Sequence, residues 1–134
     1  MKKRVLNVVI TGGKDDYGAW IEEAPEVCGA GATVDEVKQS IQEGLALFLE
    51  DKDHIPELLT GDMCFNYRFD ISGYIKNLSE VISFAGLHKI TGVNQKQLWD
   101  YANGYRRPNR TTAEKIVKGM DRYRDAMGSM QLRF

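Results

Sequence analysis

The sequence predicts an α+β fold: a small β-β-(β)-α-β unit over residues 1–71, then an all-helical unit over residues 72–134. Three observations carry this reading. Apolar residues alternate with polar ones near both ends of the first segment, as they do along half-buried strands. Between these stretches a helix-start signal opens an apolar stripe at three- and four-residue spacing. From about residue 72 the apolar spacing turns helical and stays so almost to the end.

Each element follows from local chemistry. Leu6, Val8 and Ile10 share one face of an extended segment, with Val5, Asn7 and Val9 on the other. The turn cluster Gly12-Gly13-Lys14-Asp15-Asp16 and the β-formers of Tyr17 to Glu22 complete a hairpin over residues 4–22. Pro25 and Gly29-Ala30-Gly31 break regular structure around a short third strand, the element in parentheses above. Thr33-Val34-Asp35-Glu36 is a capping box, in which the Thr hydroxyl and the Glu carboxylate satisfy free N–H groups of a first turn. Val34, Val37, Ile41, Leu45, Phe48 and Leu49 form the buried stripe of that helix, which gives way to a polar loop at Glu50-Asp51-Lys52-Asp53. Met63, Phe65, Tyr67, Phe69 and Ile71 then alternate with Cys64, Asn66, Arg68 and Asp70, a strand. Helices are predicted over 72–79, 83–91, 94–103 and about 111–127, the last with Ala113, Ile116, Val117, Met120, Tyr123 and Met127 on its inner face. Met130 to Phe134 alternates again and reads as a closing strand.

Composition excludes several classes. The 134 residues are 43% hydrophobic and 28% charged, normal for a globular protein. No apolar run approaches the roughly 20 residues of a membrane span. Met1-Lys2-Lys3-Arg4 leads straight into the first strand without the apolar core of a signal peptide, so the expected compartment is the cytoplasm. Cys28 and Cys64 stand alone, without metal-ligand spacing, and are expected to be buried free thiols; no cofactor is implied. The net charge of −1 conceals a split. Residues 1–71 hold seven Lys/Arg against fourteen Asp/Glu, and residues 72–134 hold eleven against five. An acidic half suits a basic partner and a basic half suits something anionic.

The stretch richest in chemistry runs from Phe84 to Gly104. Gly92 falls where one helix must end in a left-handed turn, which glycine adopts without steric cost. Val93 plugs the angle between two helices, Asn94 is an N-cap, and Gln97 completes a cap pair. Leu98 and Tyr101 point inward, and Gly104 ends the helix. That leaves Gln95, Lys96, Gln97, Trp99 and Asp100 outward, with Asn103 near the end. Gln and Asn amides pair bidentately with adenine edges, and Lys reads guanine or a phosphate. Arg106, Arg107 and Arg110 follow in a loop broken by Pro108, where they meet a nucleic-acid backbone. The candidate DNA-binding set is therefore Asn94, Gln95, Lys96, Gln97, Trp99, Asp100, Asn103, Arg106, Arg107 and Arg110. Over about residues 72–127 the pattern resembles the helix-turn-helix of the Xre/λ-repressor-like superfamily; the acidic residue usual two positions before the final Gly is Ala102 here.

The first unit resembles the HicB antitoxin domain. The resemblance rests on the strand Val5–Ile10, on Tyr17-Gly18-Ala19-Trp20, and on the run from Pro25-Glu26-Val27-Cys28-Gly29 to Thr33-Val34-Asp35-Glu36-Val37. Cys28 precedes Gly29 where the family has Gly then Cys, and Asp35-Glu36-Val37 replaces Glu-Glu-Ala. The resemblance implies a truncated RNase H-like fold and a place in a type II toxin–antitoxin system. It further implies a partner, a small basic HicA-like toxin that cleaves mRNA with a catalytic His. The antitoxin covers that toxin with its acidic domain and represses its own operon as a homodimer or higher even oligomer. Tyr17 and Trp20, with Glu22 and Glu26, are the candidate toxin contacts, since aromatics are enriched at interface hot spots. Trp20 equally suits packing within the sheet.

Two other readings compete. A nuclease needs carboxylates converging on metal ions, but Asp15 and Asp16 lie in a turn, and Glu22, Glu23 and Glu26 run off a strand end to opposite faces. His54 precedes Pro56 in a polar loop and His88 sits on the solvent side of a helix, so neither forms a catalytic set. The expectation is that the chain is not an enzyme. A stand-alone regulator keeps the DNA-binding half and uses the first unit to sense a ligand or to dimerise. An adjacent short basic reading frame would separate it from the antitoxin reading.

Overall fold

A computed structural model describes residues 4–50 and 61–134. The chain is a mixed fold of four strands and five helices among those residues. Strand β1 (Arg4–Gly12) turns back into β2 (Tyr17–Ile21), which pairs with β3 (Ala24–Gly31). Helix α1 (Val34–Leu49) follows, and β4 (Met63–Phe69) returns beside β1. The sheet order is β3-β2-β1-β4, with β1 antiparallel to β2 and parallel to β4, from Arg4 opposite Met63 to Ile10 opposite Phe69.

α1 starts as its capping chemistry dictates. The Thr33 hydroxyl accepts the Glu36 N–H at 3.1 Å, and the Glu36 carboxylate accepts the Ala32 N–H at 2.8 Å. Its stripe Val37, Ile41 and Leu45 is buried against Leu6, Val8 and Ile10 of β1 and Ala19 and Ile21 of β2, with Val34, Phe48 and Leu49 at the margin. The third strand is a full eight residues, longer than its Pro and Gly content suggests. Pro25 is tolerated because β3 lies at the sheet edge. Gly29 and Gly31 are points of close approach: a Cβ on Gly29 would stand 2.8 Å from the Ser40 Oγ, and one on Gly31 2.6 Å from the Val37 nitrogen. Cys28 is exposed and Cys64 half-buried; both are free thiols, so the expected burial fails for Cys28, which stands opposite Trp20 on the edge strand.

Helices α2 (Ile71–Ser79), α3 (Phe84–Thr91), α4 (Gln95–Ala102) and α5 (Arg110–Ser129) build a second core from Ile75, Leu87, Val93, Leu98, Tyr101, Ile116 and Met120. Ile71 opens α2 instead of extending β4, because the Asp70 carboxylate caps the new helix through the Gly73 N–H at 2.8 Å. The expected boundary between residues 71 and 72 therefore falls inside a helix. On α5, Ile116 and Met120 face inward, but Val117, Tyr123 and Met127 are exposed, since the body of the molecule ends before the helix does. Met130 to Phe134 forms no strand, and among the described residues no strand pairs with it. Among the described residues no helix is long and apolar enough to cross a membrane. The expected loop at residues 51–53, with His54, and the first three residues lie outside the described residues.

The two cores meet at the tip of the first hairpin. The Ser72 hydroxyl lies 2.6 Å from the Tyr101 carbonyl and 3.3 Å from that of Gly12, and Lys76 Nζ donates to the Gly13 carbonyl at 2.8 Å. Tyr17 is fully buried, and its hydroxyl donates to Glu80 at 2.6 Å. No side chain fits at Gly12 or Gly73, where a Cβ would run into the Ala102 and Ile10 carbonyl oxygens respectively.

Candidate nucleic-acid interface

The turn between α3 and α4 is fixed by hydrogen bonds that its sequence supplies. Gly92 ends α3 at φ 75°, the left-handed region, and its N–H reaches the His88 carbonyl at 2.7 Å. The Thr91 hydroxyl donates to the Leu87 carbonyl at 2.7 Å and accepts the Val93 N–H at 3.2 Å. His88 lies on the solvent side of α3 as expected, and its Nδ1, 2.8 Å from the Val93 carbonyl, helps to tie the turn together. Val93 is buried between the helices. Asn94 Oδ1 then accepts the N–H groups of Lys96 at 2.8 Å and Gln97 at 3.4 Å. The cap acts through the Asn94 side chain, to which the Gln97 backbone N–H donates; the Gln97 side chain has no part in it.

Beyond this turn α4 shows solvent a short polar face. Gln95, Lys96 and Trp99 are exposed and Gln97 is half-exposed, next to exposed Asn94. Asp100 departs from expectation: it is buried, and its carboxylate holds Lys96 Nζ at 2.9 Å one turn back. A carboxylate so engaged sits behind the face and sets the Lys96 chain. Lys96 Nζ lies 4.5 Å from the Trp99 ring centroid, and Trp99 stacks on Tyr105 with centroids 5.6 Å apart and planes 17° from parallel. Sequence reasoning missed Tyr105. The available signal was an aromatic between the helix-ending Gly104 and two arginines. Asn103 turns its amide back to the Trp99 carbonyl at 2.9 Å and closes the helix. Gly104, at φ 78°, redirects the chain, and the N–H of Tyr105 returns to the Asp100 carbonyl at 2.9 Å.

Arg106 and Arg107 are exposed in this segment. They edge a cleft of about 350 Å³ that also touches Gly12, Ser72, Gly104 and Pro108. Arg110 is not in the loop as expected. It is the first residue of α5, where Asn109 caps the helix, and it pairs with Glu114 at 3.1 Å. Gln95, Lys96, Gln97 and Trp99 thus share the free part of α4 next to Asn94, Arg106 and Arg107 line the cleft beyond it, and Asp100 and Asn103 are engaged within α4.

The first unit has its own candidate residues. α1 covers the sheet face bearing Leu6, Val8 and Ile10. The opposite face carries Val5, Val9 and Trp20, and Cys28, Trp20, Val9 and Arg68 lie in one row across the strands. Trp20 is half-buried there. Glu22 and Glu26 are exposed, with Glu22 held by Arg68 at 2.9 Å. Tyr17, expected as a contact residue, is instead enclosed at the junction between the cores. Burial, and then the neighbouring Glu80 carboxylate, push its phenol well above the ordinary tyrosine range. Among the described residues no three His, Cys, Asp or Glu side chains gather as a metal site, and no buried polar side-chain atom lacks a partner. Comparison with family models, curated proteins and solved structures finds no match to this chain.

Proposed function

We propose that this chain is a DNA-binding antitoxin of the HicB type. In this reading α3 and α4 are a helix-turn-helix, with α4 the recognition helix in the major groove. The observation that carries it is the turn itself. A left-handed glycine, a buried Val93 plug and the Asn94 cap hold a short helix whose free face offers two glutamines, a lysine and a tryptophan beside two exposed arginines. Amides read base edges, and the arginines neutralise phosphates. The net excess of six positive charges over residues 72–134 favours the same ligand.

The first unit, a truncated RNase H-like domain in this reading, takes a small basic HicA-like ribonuclease and blocks it. The half-exposed Trp20 and the acidic Glu22 and Glu26 are the contacts, on the sheet face opposite α1 and along its edge. Acid against base across such an interface raises association rate and specificity. The protein acts in the cytoplasm as a homodimer on its operator. Enrichment of duplexes from a random pool tests the DNA half. Neutralisation of the product of a neighbouring short basic reading frame tests the other.

A stand-alone regulator is favoured by one observation. Ser72, Lys76, Tyr17 and Glu80 tie the hairpin tip to the helical unit, so a ligand on the sheet has a physical route to α4. Absence of any neighbouring toxin gene, with operator binding intact, would select that reading.

A further inference from the structure

The cleft between the end of β1 and the segment joining α4 to α5 is lined by two guanidinium groups and one carboxylate, and we propose that it binds a small acidic amino acid. Its volume of about 350 Å³ lies at the lower end of the range of small-molecule sites, about 300–1,000 Å³. Its place between two cores is one where such sites recur. Gly12, Asp70 and Ser72 stand on one side, and Arg106, Arg107 and Pro108 on the other. Both sides are preformed. The Asp70 N–H bonds to the Ile10 carbonyl at 3.1 Å, and the Ser72 hydroxyl lies 2.6 Å from that of Tyr101. On the other side the N–H groups of Tyr105 and Arg106 both return to the Asp100 carbonyl, at 2.9 and 3.4 Å. Pro108 then restricts the chain before Asn109 caps α5.

The fold leaves these charges unused. Arg68, Arg110 and Arg124 are each held by a carboxylate. Arg106 and Arg107 are exposed and form no ion pair among the described residues, although Asp70 lines the same cleft. One Asp70 oxygen caps α2 through the Gly73 N–H at 2.8 Å, and the other accepts no hydrogen bond among the described residues. That oxygen is open to the cleft, since no buried polar side-chain atom among those residues lacks a partner. The Gly12 carbonyl stands 3.3 Å from the Ser72 hydroxyl and would stand 3.2 Å from a Cβ on Gly104, so it is turned into the gap between the two sides.

The ligand class follows from these groups. Guanidinium forks match carboxylates bidentately, so two arginines take two carboxylates. An ammonium has three N–H groups to give and nothing to accept, which suits the free Asp70 oxygen and the Gly12 carbonyl. Two cations and one anion lining the cleft thus meet two anions and one cation on an acidic amino acid. A monocarboxylate leaves one arginine unused, and a phosphate brings no ammonium for Asp70. Ile71 and Ala113, with Pro108, offer the methylene stem an apolar contact. In the proposed function the same arginines meet DNA phosphates, and a fork engaged by a carboxylate is not free for a phosphate. The site itself rests on the cleft and not on what α4 binds, and its test needs no DNA.

Isothermal titration calorimetry on the full chain at low salt compares L-glutamate and L-aspartate with glutarate and succinate, the matching dicarboxylates without the ammonium, and with inorganic phosphate. Glutamate or aspartate is expected to bind saturably with a Kd of about 1 mM or tighter, about tenfold or more tighter than its dicarboxylate or phosphate. Arg107→Ala should weaken that binding about tenfold or more. Asp70→Asn keeps a capping oxygen but loses the charge. It should erase the preference for the amino acid over its dicarboxylate, with the dicarboxylate bound no more weakly than by the parent. Both variants should keep the far-UV circular dichroism of the parent. Absence of saturable binding by either amino acid overturns the proposal. So does phosphate or a dicarboxylate bound as tightly as the amino acid, or a preference that survives Asp70→Asn. Any of these results leaves the DNA reading standing.

Discussion

Replacing Tyr17 with Phe removes one oxygen from the junction between the two cores and leaves the ring in place. The ring stays packed, with Lys76 Nζ still 5.4 Å from its centroid, so the loss is confined to the hydrogen bond to Glu80. A bond to a charged acceptor contributes about 1.5–3 kcal/mol. Glu80 is exposed and regains water when the hydroxyl goes, so the lower end applies, about 1.5 kcal/mol. For a chain of this size that lowers Tm by about 4–6 °C. The pH dependence gives a sharper signature. The folded state holds the Tyr17 proton above the ordinary value of 10.0, so the unfolded state ionises first. A group raised on folding stabilises below its unfolded pKa, and that contribution fades as pH rises above it. The advantage of the parent over Tyr17→Phe should be constant to about pH 9.5 and then shrink by about 1.4 kcal/mol per pH unit above 10. Urea unfolding of both proteins at pH 8 and near pH 11 measures it. Equal stability at pH 8, or an advantage that does not change with pH, would refute the assignment of this bond to the junction.

Gly12→Ala should destabilise by about 1–3 kcal/mol, because the new methyl meets the Ala102 carbonyl and lies 2.8 Å from the Ser72 Oγ. Gly18→Ala, whose nearest atom would be the Thr11 Cγ2 at an ordinary 3.5 Å, serves as the control, with a urea midpoint close to the parent. Arg107→Ala should flatten the slope of log affinity against log salt by about 1.8 in a dimer, the weight of one phosphate contact in each half-site. Affinity for selected and random duplexes should fall together, and anisotropy titrations over a salt series read both.

Much of the fold was legible because its signals are local. The Thr33 and Asn94 caps, the alternation of β4 and the left-handed Gly92 are each decided within a few residues, and each stands where its chemistry demands. What the sequence hid depends on distant partners. The parallel pairing of β1 with β4 joins segments about 60 residues apart. Gly12 and Gly73 look like ordinary turn and helix glycines until the opposing carbonyls are known. The candidate site divides in the same way. Helical spacing identified Gln95, Lys96, Gln97 and Trp99, whereas the inward turn of Asp100 depends on packing beneath α4 and on its pairing with Lys96. Tyr17, expected as a contact residue, lies on the buried face of β2 with Ala19 and Ile21, and its enclosure by α2 is something the strand pattern does not report. On α5 periodicity placed Ile116 and Met120 rightly on the inner face, but Val117, Tyr123 and Met127, expected beside them, are exposed, because helical spacing does not report where the body of the molecule ends.

That α4 reads base edges is the central claim, and Gln97→Ala tests it most directly. Its backbone N–H is held by Asn94 and its side chain is half-exposed on the free face, so truncation leaves the helix start intact. The measurement is fluorescence anisotropy on the best duplex from a random-pool selection and on a scrambled duplex, both at one salt concentration. The parent should prefer the selected duplex by about a thousandfold or more. Gln97→Ala should lose about 1–3 kcal/mol on that duplex, roughly 5- to 150-fold, while its affinity for the scrambled duplex stays put. A parent that binds both duplexes equally, or a variant that loses the same factor on each, would contradict base reading by this helix.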